Sequence, residues 1–204
     1  MELYKQLGNT EKYAEVLYSI GLALYGQANN TEDRDTKDRL YDEAIRNYHE
    51  VAELYEQLGN TEKYAEVLYS TGQALYGQAN NTKDQETKDR LYREADNNYL
   101  KAIALYMQHD KIEEAAQVNY EFAQQLDRRA ELVVGNVEEQ SRLYGEAEEK
   151  FAEGERLYNE SKNITKASDA SSERKRMFCY KYLVLGKLPP GVLSDTSPGS
   201  LDID

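Results

Sequence analysis

The sequence predicts an all-α solenoid of antiparallel helix hairpins closed by a C-terminal capping helix. Three observations carry the prediction: a 51-residue repeat, apolar residues recurring every three or four positions inside it, and Asn, Thr and Gly at its joints. Leu3 to Glu53 aligns without gaps on Leu54 to Ala104 with 37 of 51 positions identical, and Leu105 to Arg156 continues in register with one extra residue. Each such unit leaves an apolar face that only a neighbouring unit covers, so tandem copies stack.

Within a unit, Tyr13, Val16, Leu17, Ile20, Leu24 and Ala28 step by three or four and form one stripe, that of helix A. Gly8-Asn9-Thr10 supplies the chain reversal and N-cap before it, and Asn29-Asn30 ends it. Leu40, Ala44, Tyr48, Val51, Tyr55 and Leu58 form the stripe of helix B, closed by Gly59-Asn60. Asn29 to Arg39 and its copy Asn80 to Arg90 are strongly charged and fit either a loop or an exposed first part of helix B. Thr31 or Thr82 would start that helix, and the pattern favours helix from about Asp33. In the third unit Asn136 and Glu139 stand at capping-box spacing.

The repeats, about 3–53, 54–104 and 105–156, occupy residues 1–160; a capping helix follows within 161–188, and 189–204 reads as a flexible tail after Pro189-Pro190. Leu157-Tyr158 keeps the phase into a fourth unit, which then degenerates. Met1 to Asn9 matches Ala52 to Asn60, so the array opens within a unit, and self-association through its ends is an expectation.

A resemblance lies in the small and large positions. Leu17, Ile20-Gly21 and Leu24, followed by Ala44 and Tyr48, resemble the tetratricopeptide repeat pattern; Leu68, Thr71-Gly72, Leu75, Ala95 and Tyr99 repeat it, and Asn119, Phe122-Ala123, Leu126, Ala147 and Phe151 follow it more loosely. The resemblance implies a superhelix in which Gly21 and Ala44 let helices A and B approach closely while Tyr48 fills space toward the next unit. The departures are a period of 51 instead of about 34 and no proline after helix B, where Glu56, Met107 and Asn159 stand. Both lengthen the hairpin.

The same resemblance implies a binding groove lined by helix A. Its ladder is Tyr18, Tyr69 and Tyr120, with Ser19, Leu22 and Tyr25 beside the first, Ser70, Gln73 and Tyr76 beside the second, and Glu121, Gln124 and Asp127 beside the third. Aromatic rings with polar companions suit recognition. Repeat packing alone also accounts for many of the 18 tyrosines. Arrays of this type that clamp acidic heat-shock-protein tails present cations in the groove; here Glu15, Tyr18, Ser19 and Leu22 stand there, which favours a neutral or basic peptide or helix.

Composition narrows the function classes. The net charge of −13 is distributed as about −15 over residues 1–160 and +5 over 162–187. An acidic array repels phosphate backbones, so nucleic acid is not an expected partner. No apolar run approaches a membrane span, and Met1-Glu2-Leu3-Tyr4 has no leader character, so no membrane is expected. One cysteine, Cys179, excludes an intramolecular disulfide; it fits a small buried residue in a reducing, cytoplasmic protein. His49 and His109 lack a triad-like neighbour, and Asp33, Asp35 and Asp38 lack the glycine and bidentate glutamate of a calcium loop. No catalytic residue, metal or cofactor is expected. The sequence points to a scaffold or adaptor that binds a protein or peptide, or else to a sensor in which ligand-driven change of the superhelix controls an attached domain.

Overall fold

The computed structural model describes residues 9–133, 135–187 and 189–190. Among them are seven α-helices and no strand: α1 Thr10–Asn30, α2 Arg34–Gln57, α3 Thr61–Asn81, α4 Gln85–Gln108, α5 Ile112–Leu132, α6 Val137–Glu160 and α7 Ile164–Leu183. The fold is thus an all-α helical repeat, with 21-residue helices A (α1, α3, α5) alternating with 24-residue helices B (α2, α4, α6). The chain divides into two compact units, Met1–Asn119 and Tyr120–Asp204. The repeat residues Met1 to Gly8 and the tail beyond Pro190 lie outside the described residues.

Side-chain caps set where each helix begins. Asn9, Asn60 and Asn163 accept a hydrogen bond from the backbone N–H three residues on, at Lys12, Lys63 and Lys166, satisfying a donor that has no partner inside the helix. Helices B start on Asp33 and Asp84, which accept from the N–H of Thr36 and Thr87, and on Asn136, which accepts from Glu139. The charged stretch after helix A is therefore helix from Arg34. Its cap is Asp33, not Thr31, because the chain runs extended through Thr31 and first turns helical after Asp33.

The turn from helix B to the next helix A repeats as closely as the helices do. Gly59, Asp110 and Lys162 occupy the same phase with φ of 66°, 56° and 63°, and the residue after each returns its N–H to a tyrosine carbonyl: Asn60 to Tyr55, Lys111 to Tyr106, Asn163 to Tyr158. Lys162 and Asn163 reproduce this turn and cap, so α7 begins as the helices A do.

In unit 1 α2 packs on α1, α3 on α2 and α4 on α3, with a smaller contact between α1 and α3. Within each hairpin a helix-A glycine lies under a helix-B ring: a Cβ on Gly21 would stand 2.5 Å from Tyr48 Cε1, and one on Gly72 3.0 Å from Tyr99 Cε1. Tyr48 thus fills its own hairpin and does not reach for the next unit as the resemblance implied. The joint between hairpins falls to Tyr41. Its ring lies over Gly77, where a Cβ would come within 2.6 Å of Cζ, while its hydroxyl donates to Asn29 Oδ1 at 2.6 Å. The observed helix-B core includes Tyr41 and Ile45, whereas Leu58, expected inside, is 45% exposed.

Unit 2 shows how α7 closes on α6. Tyr144, at the phase of Tyr41 and Tyr92, stacks on Tyr180 of α7 with centroids 5.5 Å apart, and Ser141 Oγ donates to the Lys181 carbonyl. Asp127, at the phase of Tyr25 and Tyr76, is 6% exposed and accepts from Arg176 Nη2 at 2.6 Å. Burial pushes the Asp127 carboxyl above its ordinary pKa even against the Arg176 charge.

Arg176→Ala is expected to lower stability by about 1 to 2 kcal/mol at pH 7, less than for a fully buried pair because the arginine side chain is 40% exposed. A raised carboxyl pKa means the folded state holds the proton longer than the unfolded one, so the folded-state penalty is absent below the unfolded pKa and grows as pH rises through the folded one. The gap between wild type and variant should therefore be wide at pH 7 and narrow at pH 4. Urea midpoints at the two pH values measure it, and a pH-independent gap would show that Asp127 is not the group left uncovered.

Candidate interaction surface on helices A

The helix-A residues singled out in the sequence divide into surface and interior. On α1, Ser19 and Leu22 are exposed, and Tyr18 and Tyr25 are half-buried. The Tyr18 ring lies 5.8 Å from Tyr48, and its hydroxyl shares a 2.8 Å hydrogen bond with Ser70 Oγ of α3. Burial pushes the Tyr18 hydroxyl up to about 12. Tyr25 stacks 6.1 Å from Tyr41.

On α3, Tyr69 and Gln73 are half-buried one turn apart, and Gln73 Nε2 donates to the Tyr69 hydroxyl at 2.8 Å. The Tyr69 ring lies 6.1 Å from Tyr99. Ser70 and Tyr76 are interior. Tyr76 is 1% exposed with its ring 4.7 Å from Tyr92, and Ser70 is buried beneath Tyr18. These two positions therefore offer no accessible surface, in contrast to the placement that the resemblance implied. The periodicity identifies a face but not its cover: Tyr25, at the same phase as Tyr76, keeps part of its ring open.

In unit 2, Tyr120, Glu121 and Gln124 are half-buried. The Tyr120 ring meets Phe151 edge-on at 5.3 Å, and the Gln124 side chain hydrogen-bonds its hydroxyl, the same one-turn tyrosine–glutamine pair as on α3. In α1 the glutamine position is Leu22, 43% exposed, and its tyrosine bonds Ser70 instead. The tyrosine is thus bonded by a glutamine one turn on in α3 and α5, whereas in α1 that place holds an open apolar side chain.

No constellation of reactive groups gathers on this face. His49 is exposed and stands 3.8 Å from Glu94; His109 is the exposed C-cap of α4. Among the described residues no three His, Cys, Asp or Glu side chains group to hold a metal. Asp33 is a helix cap and Asp38 accepts from Asn81, so both have local partners. Cys179 is exposed on α7, not buried as its apolar neighbours suggested, because the helix turns Met177 inward and leaves Cys179 on the outer side. Among the described residues no helix is long and apolar enough to cross a membrane.

No protein-family model matches the chain, and no curated protein matches it. Solved structures that match it include two helical assemblies. One is described as a circular tandem repeat protein with novel repeat topology and enhanced subunit contact surfaces; it is 19% identical, with a TM-score of 0.46 over 91% of this chain and 50% of that structure, so the chain spans half its length. The other, described as the DHF79 filament, is 20% identical, with a TM-score of 0.45 over 85% of this chain and 87% of that one.

Proposed function

We propose that the chain is an interaction scaffold of tetratricopeptide type that binds a neutral or basic peptide or helix along the helix-A faces, in a reducing, cytoplasmic setting. The observation that carries the proposal is the half-open tyrosine at one phase of helices A, flanked on α1 by the exposed Ser19 and Leu22 and on α3 by Gln73. Rings of this kind supply contact area with few rotors to freeze, and their hydroxyls are already oriented, Tyr18 by Ser70 and Tyr69 by Gln73. The net charge of −13 disfavours an acidic ligand.

The test is selection of binders from a random peptide library on the intact chain, followed by mapping. Tyr69→Ala combined with Leu22→Ala is expected to weaken selected peptides by more than tenfold, about 1.4 kcal/mol, while circular dichroism remains that of the parent. Tyr76 is left intact, because it is 1% exposed and its removal would open the core. Binders that tolerate the double variant would move the interaction surface to the helix-B side.

A further inference from the structure

The two sides of α1 have different fates, and the second side carries an inference that does not depend on the tyrosine face. Beside the face of Tyr18 and Leu22, and centred about a third of a turn round the helix from it, α1 repeats the face by which α3 receives α2. On α3 that face is occupied. Tyr41 of α2 fills the notch over Gly77, Gln78 Nε2 donates to Asp42 Oδ1 at 2.5 Å, and Asn81 Nδ2 donates to Asp38 Oδ1 at 2.6 Å and to the Arg34 carbonyl at 3.0 Å. Thr71 and Ala74 on the same stripe are 1% and 0% exposed.

One repeat earlier the same receptor stands open. Gly26, Gln27 and Asn30 take the places of Gly77, Gln78 and Asn81, and Ile20 and Ala23 those of Thr71 and Ala74. Ile20 is 37% exposed and Ala23 is exposed as well. A Cβ on Gly26 would meet nothing within 4 Å, and the Asn30 amide turns back to the Gly26 carbonyl. A mid-helix glycine with open space around it weakens the helix and serves no packing within the described chain. On α3 the same glycine is needed because a ring occupies its place.

We propose that this face of α1 docks one further helix of α2 chemistry, an amphipathic segment with the pattern Asp-x-x-Tyr-Asp. Its tyrosine enters the Gly26 notch, the aspartate after it accepts from Gln27, and the aspartate three residues before it accepts from Asn30. Continuity with the α2–α3 interface identifies the occupant: the receptor is the same in residue type at the notch and at both amides, and the ligand is the helix seen bound to its copy. Ile20, apolar where α3 has threonine, adds contact area.

The probe is a fluorescent peptide with the sequence Asp33 to Gln57, titrated into the full chain. Saturable one-to-one binding is expected. Gly26→Leu in the chain, or Tyr→Ala at the Tyr41 position of the peptide, should each weaken it by more than tenfold. Gly26→Leu should leave helicity and melting temperature at or above those of the parent, because the new side chain enters empty space. Absence of saturable binding would overturn the proposal. Binding indifferent to Gly26→Leu would overturn it too, since the peptide would then be exchanging into the place of α2 over Gly77. Sedimentation of the chain alone adds a third arm: a dimer abolished by Gly26→Leu, with no peptide binding, would assign the face to a second copy instead. The tyrosine-face variant Tyr69→Ala, on α3, should not affect peptide docking at Gly26, which separates failure of this proposal from failure of the scaffold function.

Discussion

Truncating Tyr48 to alanine is expected to destabilise the protein by about 3 to 5 kcal/mol, the range for removing a large buried ring. The side chain is 0% exposed, it lies over Gly21, and its ring edge contacts Tyr18. Its loss would open a void bounded by both helices of the first hairpin, and Gly21 has no side chain with which to fill it. Tyr48→Phe should act in the opposite sense. Among the described residues the buried Tyr48 hydroxyl has no hydrogen-bond partner, so removing it deletes an uncompensated polar group and should stabilise by about 1 kcal/mol. Urea unfolding of the two variants against wild type measures both. If Phe costs as much as Ala, the hydroxyl and not the ring holds the hairpin.

The second large effect is alkaline unfolding. Burial, the foremost cause in each case, raises the hydroxyls of Tyr18 and Tyr41 to about 12 and pushes those of Tyr48, Tyr55, Tyr64, Tyr106, Tyr120 and Tyr144 above their ordinary value. A group whose pKa is higher in the folded chain contributes stability that is complete below its unfolded pKa, about 10 for tyrosine, and is lost as pH rises through the folded value. The protein should thus hold its stability to about pH 10 and unfold steeply between 10 and 12. Tyrosinate absorbance at 295 nm and helical ellipticity should change together. Full ionisation with helicity intact would contradict the buried placement of these rings.

Much of this arrangement was legible in the sequence, and its limits have physical causes. Helix ends depend on short-range chemistry, so Asn9, Asn60 and Asn136 could be read from their neighbours alone. Asp33 was less distinct because Thr31 two residues earlier offers the same capping chemistry, and only the extended backbone at Thr31 separates them. Stripes were legible as faces, but which neighbour covers a face depends on the stacking of whole helices. Ile20 and Leu58 are therefore exposed despite being in phase, and Tyr76 is interior while Tyr25 is partly open. The receptor around Gly26 does have a signal in the sequence: a glycine repeated at 26 and 77 inside helices A, where a ring from a neighbouring helix gives it a purpose.

In unit 1 the packing joins helices adjacent in the chain, with α1 against α3 the longer step, and the Tyr18–Ser70 hydrogen bond spans 52 positions, about one repeat. Loop closure over such short separations costs little entropy, so no distant segment has to be found before a hairpin gains its partners. Folding of this unit is a matter of neighbours: a hairpin forms, and the next condenses upon it. The kinetic counterpart is that amide exchange should grade along the unit, slowest where a helix has partners on both sides, as α2 and α3 do, and faster in α1, whose outer face is open. A helix docked at Gly26 would then register first as slower exchange in α1, before any change in the unfolding midpoint of the whole chain.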